Sequence, residues 1–205
     1  MATGLWRGAS VNLCENAERD PMHRAALLRL IDDYADRHPE ESATVQDFIR
    51  FVEHHERCFE RDLWAGHVTG SAWLVNGAGT HVLMTHHRKL DRWLQLGGHS
   101  DGNPDTLAVA MREAEEESGL RVKPVFGGIF DLDIHEIPAR KADPAHFHYD
   151  LRFALQPVFD ESYTVGAESL DLAWVALERL DDYTTEWSVL RMRSKWFDLG
   201  HAQSF

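Results

Sequence analysis

The sequence is poor in cysteine, in long apolar segments and in positive charge, and each shortage excludes a class of protein. Only Cys14 and Cys58 occur in 205 residues, so we expect no disulfide framework and a reducing cytoplasm as the location. No apolar run approaches transmembrane length, and the charged residues within 1–20 argue against a signal peptide. We therefore expect a cytoplasmic protein without a membrane partner.

Basic residues are outnumbered, with 21 Lys and Arg against 34 Asp and Glu, which gives a formal net charge of −13. This balance argues against a nucleic acid polymer as partner, because polymers of phosphate attract basic surfaces. A small anionic substrate stays compatible with it, since a bound metal ion inverts the local field. The hydrophobic fraction of 43% is enough for a packed core.

Two amphipathic segments predict an N-terminal helical hairpin. Residues 22–37 carry apolar side chains at helical spacing, and Pro39 ends that helix. A second helix is predicted to begin at Thr44, with Asp47 three positions later as in a capping box, and to end near His55. A hairpin of this size is too small to be stable alone, so we expect it to pack on the main domain or at a dimer interface.

The pattern of the remaining chain is that of strands, and we divide the chain into an arm with the hairpin, 1–60, and a main domain, 61–205. Residues 67–75 and 81–86 flank a turn sequence rich in Asn and Gly, which predicts a β-hairpin. A basic cluster follows the second strand, where contact with a substrate phosphate competes with a solvated loop; it comprises Arg88, Lys89 and Arg92.

Two longer strands, 122–137 and 146–158, alternate polar and apolar residues and predict an antiparallel pair. A symmetric turn between them pairs His135 with His148, Asp133 with Asp150, and Asp131 with Arg152. Two facing aspartates are unfavourable unless a cation or a shared proton lies between them. A second metal, such as Zn²⁺, would suit the face formed by His135, His146, His148 and Asp150, and the alternative is a hydrogen-bonded strand surface.

The central stretch is residues 97–120, GGHSDGNPDTLAVAMREAEEESGL. Read as a helix, it places Glu113, Glu116 and Glu117 at i, i+3 and i+4, so that they share one stripe. A hard divalent cation would remove the repulsion among three anions, and Mg²⁺ is normally held by a few carboxylates plus substrate phosphates.

The ends of this helix also have recognisable residues. Asn103 is predicted as the N-cap and Pro104 as the first helical residue. Gly119 is predicted to end the helix in a left-handed conformation.

This stretch resembles the Nudix box of the Nudix hydrolases, G-x5-E-x7-R-E-U-x-E-E-x-G-U, in which U is a bulky apolar residue. The matching positions are Gly98, Arg112, Glu113, Glu116, Glu117, Gly119 and Leu120. Ala114 fills a U position with a smaller residue than usual, and Pro104 stands where the family has its first glutamate. The resemblance covers roughly residues 64–182.

The resemblance implies an α/β fold in which a mixed sheet is sandwiched between helices, with the helical hairpin outside the common fold. It also implies metal-dependent attack of water on a diphosphate linkage. Mg²⁺ or Mn²⁺ would be held by Glu113, Glu116 and Glu117. The implied substrate is a small nucleotide-type molecule, either a nucleoside diphosphate linked to another group or a nucleoside triphosphate.

The resemblance also suggests roles for single residues. Arg112 is expected to orient a box carboxylate, and Glu113 and Glu117 are expected to be catalytic. The general base is left open between Glu113 and an acid from a later loop, Glu161 or Glu168. Further candidates are His99 and the face of His146, His148 and Asp150. Substrate contacts are expected from Gly97, Gly98, His99, His148 and Arg152.

Two other functions compete with hydrolysis. A Nudix-fold isomerase of isoprenoid diphosphates would need a cysteine beside the site, and neither Cys14 nor Cys58 lies in the Nudix portion. A nucleotide-sensing module would keep the box without turnover, and Pro104 is the feature that favours it. Many Nudix enzymes are dimers, so a homodimer is left open as well.

Overall fold

A computed structural model describes residues 22–140, 143–166 and 169–202. The α-helices of this part are α1 Met22–Arg37, α2 Ser42–His54, α3 Thr106–Ser118 and α4 Trp187–Ala202. The strands are β1 His67–Leu74, β2 His81–His87, β3 Arg92–Leu94, β4 Leu96–His99, β5 Val122–Pro124, β6 Asp131–Ile137, β7 His146–Pro157 and β8 Ser169–Ala176. Short 3-10 helices precede α2 and follow β8, at Pro39–Glu41 and Leu177–Asp182.

The strands form two sheets. Sheet A has the order β4-β1-β7-β5, and β6 pairs with β7 beside β5. Only β1 and β7 run parallel in it, so the sheet is mixed. Sheet B is antiparallel, with the order β3-β2-β8. The mixed α/β architecture expected from the sequence is confirmed.

Sheet A separates two apolar cores because successive side chains of a strand point to opposite faces. Val68 and Ala72 of β1 pack in a core with α1, α2 and α3, whereas Trp73 packs in a second core with residues of α4 such as Met192. Helices therefore cover both faces of the sheet. None of the helices in the described part of the chain has the length and apolar character that crossing a membrane requires.

The helical hairpin packs on sheet A. Ile31 of α1 and Phe48 of α2 are fully buried in the same core as Phe153 of β7. Burial of a large apolar side chain contributes about 1.5–3 kcal/mol, which explains why a hairpin of this size is stable on the sheet. The predicted cap at Thr44 is wrong: α2 begins at Ser42, directly after the 3-10 helix, and Thr44 lies inside it. The boundary at residue 60 stays a prediction.

The predicted hairpin of β1 and β2 is wrong in one respect. The turn is present, because the side-chain oxygen of Asn76 accepts hydrogen bonds from the backbone N–H groups of Thr80 and His81 at 2.9 and 3.1 Å. The two strands nevertheless diverge into different sheets after one bridge between Val75 and Val82. All residues of β1 are buried, so it becomes a central strand of sheet A.

The predicted pairing of the two long strands is confirmed, although the first of them is divided into β5 and β6. Asp131 pairs with Arg152, Asp133 with Asp150, and His135 with His148. The cation that separates the two facing aspartates is Arg152, whose Nε donates to Asp150 at 2.8 Å and whose Nη2 donates to Asp133 at 3.1 Å.

Candidate functional site

Helix α3 carries the acidic stripe, and its ends explain where the stripe lies. The Asp105 carboxylate accepts a hydrogen bond from the Ala108 N–H at 3.0 Å, so Asp105 is the N-cap. The predicted cap at Asn103 is therefore wrong by two residues. Pro104 therefore lies before the cap and is not the first helical residue. Asn103 accepts a hydrogen bond from the Asp105 N–H at 3.0 Å. Gly119 ends the helix at φ 73°, as predicted.

Hydrogen bonds and ion pairs connect the acidic stripe to β4. The Arg112 guanidinium lies 2.8 Å from Glu113 and 3.2 Å from Glu116, and it also donates to the His99 carbonyl at 3.1 Å. Glu117 accepts a hydrogen bond from the Gly97 N–H at 2.8 Å. Arg112 thus orients two carboxylates and the backbone of β4 orients the third.

The two glycines let β4 lie close to its neighbours. A Cβ at Gly98 would come 2.5 Å from the carboxyl carbon of Glu113, and a Cβ at Gly97 would come 2.7 Å from the Cα of Ser71. Any side chain at Gly98 would therefore displace Glu113, and a side chain at Gly97 would push against the backbone of β1.

A cavity of about 530 Å³ brings most of the predicted site residues together. Its lining includes Gly97, Gly98, His99, Arg112, Glu113, Glu116, Glu117 and His148. Lys89 of the basic cluster also lines it, whereas Arg88 donates to the Ser169 carbonyl and Arg92 pairs with Glu186. Arg61, which the sequence did not single out, supplies a second cation.

A separate cavity of about 630 Å³ lies between α2 and the β6–β7 edge, and it is lined by none of the predicted catalytic or ligand-binding residues. Its walls are largely aromatic and aliphatic, with Phe51 stacked on Tyr149 at a ring-centroid distance of 3.7 Å. The chemistry of the chain is therefore concentrated in the smaller cavity.

The carboxylates of α3 fit a hard divalent ion, since three anionic oxygen donors face one cavity. The carboxylate oxygens of these three glutamates do not all lie within 4.8 Å of one another. Arg112 pairs with Glu113, and the Gly97 N–H donates to Glu117. Burial raises the pKa of the Glu113 carboxyl, and Arg112 lowers it by less.

Histidines crowd the same end of sheet A. Ring centroids lie 4.8 Å apart for His67 and His148, 4.9 Å for His67 and His146, and 5.1 Å for His67 and His99. His135 lies beside them, with its centroid 5.4 Å from that of His148. The predicted histidine face therefore also includes His67. The sequence did not reveal this, because it gave no sign that β1 pairs with β7.

Asp150 does not complete a metal site with these histidines, which corrects the predicted ligand set. Its carboxylate accepts from Thr69 at 2.8 Å and Ser71 at 2.7 Å through one oxygen, and from Arg152 at 2.8 Å and Gln95 at 3.4 Å through the other. All of its acceptor positions are used by protein donors.

Arg152, predicted as a substrate contact, is not part of the cavity lining. Its side chain is only 2% exposed and pairs with Asp131, Asp133 and Asp150. Arg191 of α4 reaches Asp131 at 2.7 Å and Asp133 at 3.3 Å, and Lys195 reaches Asp131 at 2.6 Å. We call these six residues the charge network.

None of the remaining candidate residues, Glu168, Glu161 and Cys58, is a described part of the cavity lining. Glu168 lies outside the described residues, although Gly166 and Ser169 on either side of it line the cavity. Glu161 accepts from the Gly77 N–H at 2.8 Å and is not part of the lining. Cys58 is buried in the core, and burial raises the pKa of its thiol to about 12.

Comparisons with known proteins give structural matches alone. No family model and no curated protein matches the chain significantly. A Nudix-family hydrolase from Clostridium perfringens is 22% identical, with 65% of this chain and 97% of that chain covered and a TM-score of 0.48. An Ap4A hydrolase from C. elegans is 14% identical, with 66% and 98% covered and a TM-score of 0.47. A dihydroneopterin triphosphate pyrophosphohydrolase from E. coli is 18% identical, with 62% and 92% covered and a TM-score of 0.48.

Proposed function

We propose that the protein is a metal-dependent pyrophosphohydrolase of the Nudix type. It cleaves the diphosphate linkage of a nucleoside diphosphate linked to another group, or of a nucleoside triphosphate, by attack of water. The observation that carries the proposal is the convergence of three carboxylates from one helix, two glycines and three cations on a single cavity.

Glu113, Glu116 and Glu117 would hold Mg²⁺ or Mn²⁺. Such an ion supplies neutralisation of the diphosphate and a lowered pKa for a coordinated water. Arg112 positions the carboxylates of Glu113 and Glu116 from 2.8 and 3.2 Å. It does this without the first glutamate of the family pattern, because Pro104 stands there.

Two cations give the cavity its affinity for phosphate. Arg61 pairs with Asp101 on the cavity wall. Lys89 lines the cavity and forms no ion pair within the described part of the chain. Together they would bind the phosphate oxygens, and they explain how an acidic protein accepts an anionic substrate.

Glu113 is the proton acceptor that the site favours. Its side chain is 17% exposed, and burial raises the pKa of its carboxyl, which makes it a better proton acceptor than an ordinary carboxylate. Glu168 is the other candidate, since both of its described neighbours line the cavity.

Release of phosphate or nucleoside monophosphate from a panel of dinucleotides, nucleotide sugars and triphosphates tests the proposal. With Mg²⁺ present, at least one compound should be turned over, and Glu117→Gln should lower kcat about 100-fold, equivalent to about 3 kcal/mol of metal-assisted stabilisation. Glu115→Gln is the matched control, because Glu115 on the same helix accepts from the Val122 N–H and lies outside the cavity. No turnover with either Mg²⁺ or Mn²⁺ would contradict the proposal, and tight binding without turnover would favour the sensor alternative.

A further inference from the structure

Three histidines at one end of sheet A are arranged as ligands of one ion. His67 is the first residue of β1, and His148 is its Cα partner on the parallel strand β7. His146 lies two residues earlier on β7 and therefore points to the same face. One ring nitrogen from each histidine lies within 4.8 Å of the others. We call these residues the histidine trio.

Several ring nitrogens of the trio are buried without a hydrogen bond to the described part of the chain. His67 is only 1% exposed, and neither of its nitrogens has a hydrogen-bond partner of good geometry there, although the Leu63 carbonyl is near enough to raise its pKa; Nε2 of His148 has no such partner either. Most buried polar atoms are hydrogen-bonded, so three such atoms at one point require an explanation. A metal ion that accepts an electron pair from one nitrogen of His67 and from Nε2 of His148 would satisfy two of these atoms together, and the other nitrogen of His67 would carry the ring proton.

The third member of the trio is oriented as metal-binding histidines are. Nδ1 of His146 donates to the Pro144 carbonyl at 2.9 Å, which leaves Nε2 with a lone pair. A neutral imidazole binds a metal through the nitrogen that carries no proton.

We propose that the histidine trio binds one transition-metal ion of the Zn²⁺ class, separately from the carboxylates of α3. Three imidazoles suit Zn²⁺ and its divalent neighbours, whereas Mg²⁺ and Ca²⁺ take oxygen ligands. Three protein ligands also leave a fourth position open. His148 lines the cavity, so that position is accessible to water or to a substrate oxygen.

The competing explanation is a purely structural stack of neutral rings. It would account for the close centroids, since His67 and His146 are inclined by only 29°. It leaves the lone pair of His67 and that of His148 Nε2 without a partner in the described part of the chain, however. Metal binding distinguishes the two explanations, because a structural stack has no reason to bind a single ion.

Titration of the untagged full chain with Zn²⁺ and Co²⁺ tests the proposal. After treatment with a chelator, calorimetry should show one equivalent of Zn²⁺ bound, and Co²⁺ should give visible absorption bands typical of nitrogen ligands in low coordination. His67→Gln and His148→Gln should each weaken Zn²⁺ binding at least about 100-fold, since removal of even an outer partner of a ligand typically costs about 10- to 100-fold.

Matched variants keep the test decisive. His54→Gln is the control, because His54 is exposed at the end of α2 and bonds only to the Arg50 carbonyl, so Zn²⁺ binding should be unchanged. His146→Gln repeats the test at a second ligand in case His67→Gln fails to fold. Glu117→Gln should lower kcat about 100-fold, as above, and leave Co²⁺ absorption intact, which separates this site from the proposed function. Absence of Zn²⁺ binding, or equal binding in the His67, His146 and His148 variants, would overturn the proposal.

Discussion

The polar face of sheet A contains two regions that differ in the hydrogen bonding of their buried polar atoms. In the charge network, Arg152 is 2% exposed and every nitrogen of its guanidinium has an acceptor. In the histidine trio, His67 is equally buried and its nitrogens have no hydrogen-bond partner of good geometry among the described residues. The regions are adjacent, since His148 and Asp150 lie two residues apart on β7. Burial alone therefore does not distinguish a structural group from a ligand-binding one, but hydrogen bonding does.

Removal of Arg152 should have the largest effect on the free energy of unfolding. A small effect would contradict the contrast between the charge network and the histidine trio. Arg152→Met should destabilise the protein by about 3–5 kcal/mol, because it leaves buried carboxylates without their shared cation. Urea unfolding at pH 7 measures the loss. A loss below about 1 kcal/mol would mean that Arg191 and Lys195 neutralise the network alone.

Acid should weaken the charge network next most strongly. Burial raises the pKa of the Asp133 carboxyl, but the hydrogen bond with His135 and the charges of Arg152 and Arg191 outweigh it and hold the pKa well below its usual range. The stabilisation is therefore fully present above the unfolded value of about 3.9 and is lost as the pH falls below it, on the order of 1–3 kcal/mol. Asp133→Asn should be less stable than the unaltered chain at pH 7, and the gap should narrow near pH 3. A gap independent of pH would contradict this account.

A change in the cavity backbone should alter activity rather than stability. Gly98→Ala places a methyl group against the Glu113 carboxyl, so the carboxylate must move, and we expect kcat to fall about 10-fold, or about 1.4 kcal/mol. Gly127→Ala is the control, since a Cβ there meets no atom within 4 Å. Steady-state kinetics and thermal unfolding would measure the two effects separately. A loss of stability in Gly98→Ala as large as its loss of activity, both in kcal/mol, would contradict this prediction.

Replacement of a trio histidine should have the smallest effect on stability. In chelated protein, His148→Phe removes an unpartnered buried nitrogen and keeps a ring of similar shape, so the free energy of unfolding should change by less than about 1 kcal/mol. Chemical denaturation measures it. A loss as large as that of Arg152→Met would show that the trio, like the charge network, is needed for stability.

Local sequence patterns predicted much of this face. Alternation along two strands was enough to pair Asp131 with Arg152 and His135 with His148, because a short loop fixes the register of an antiparallel pair. The spacing of Glu113, Glu116 and Glu117 predicted a common acidic stripe, because helical periodicity is local.

Features that depend on distant chain segments were not predictable in the same way. The turn at Asn76 is specified by its own side chain, but the membership of β1 and β2 in different sheets depends on β7 and β8. His67 was missed for the same reason, since its partner strand is parallel and far along the sequence. The substrate contact expected from Arg152 did not anticipate that α4 covers this side chain, whose guanidinium donates to the Ser188 carbonyl at 3.3 Å.

The parallel ladder between β1 and β7 has a consequence for how an ion would exchange. Eight consecutive residue pairs, from His67 with His148 to Leu74 with Leu155, fix the two strands relative to each other. The entropy of ordering the ligands is thus lost during folding rather than during ion capture. Small domains that fold around a metal lose their structure when it is stripped. This chain would retain its fold, and loading would proceed at the rate of ligand substitution.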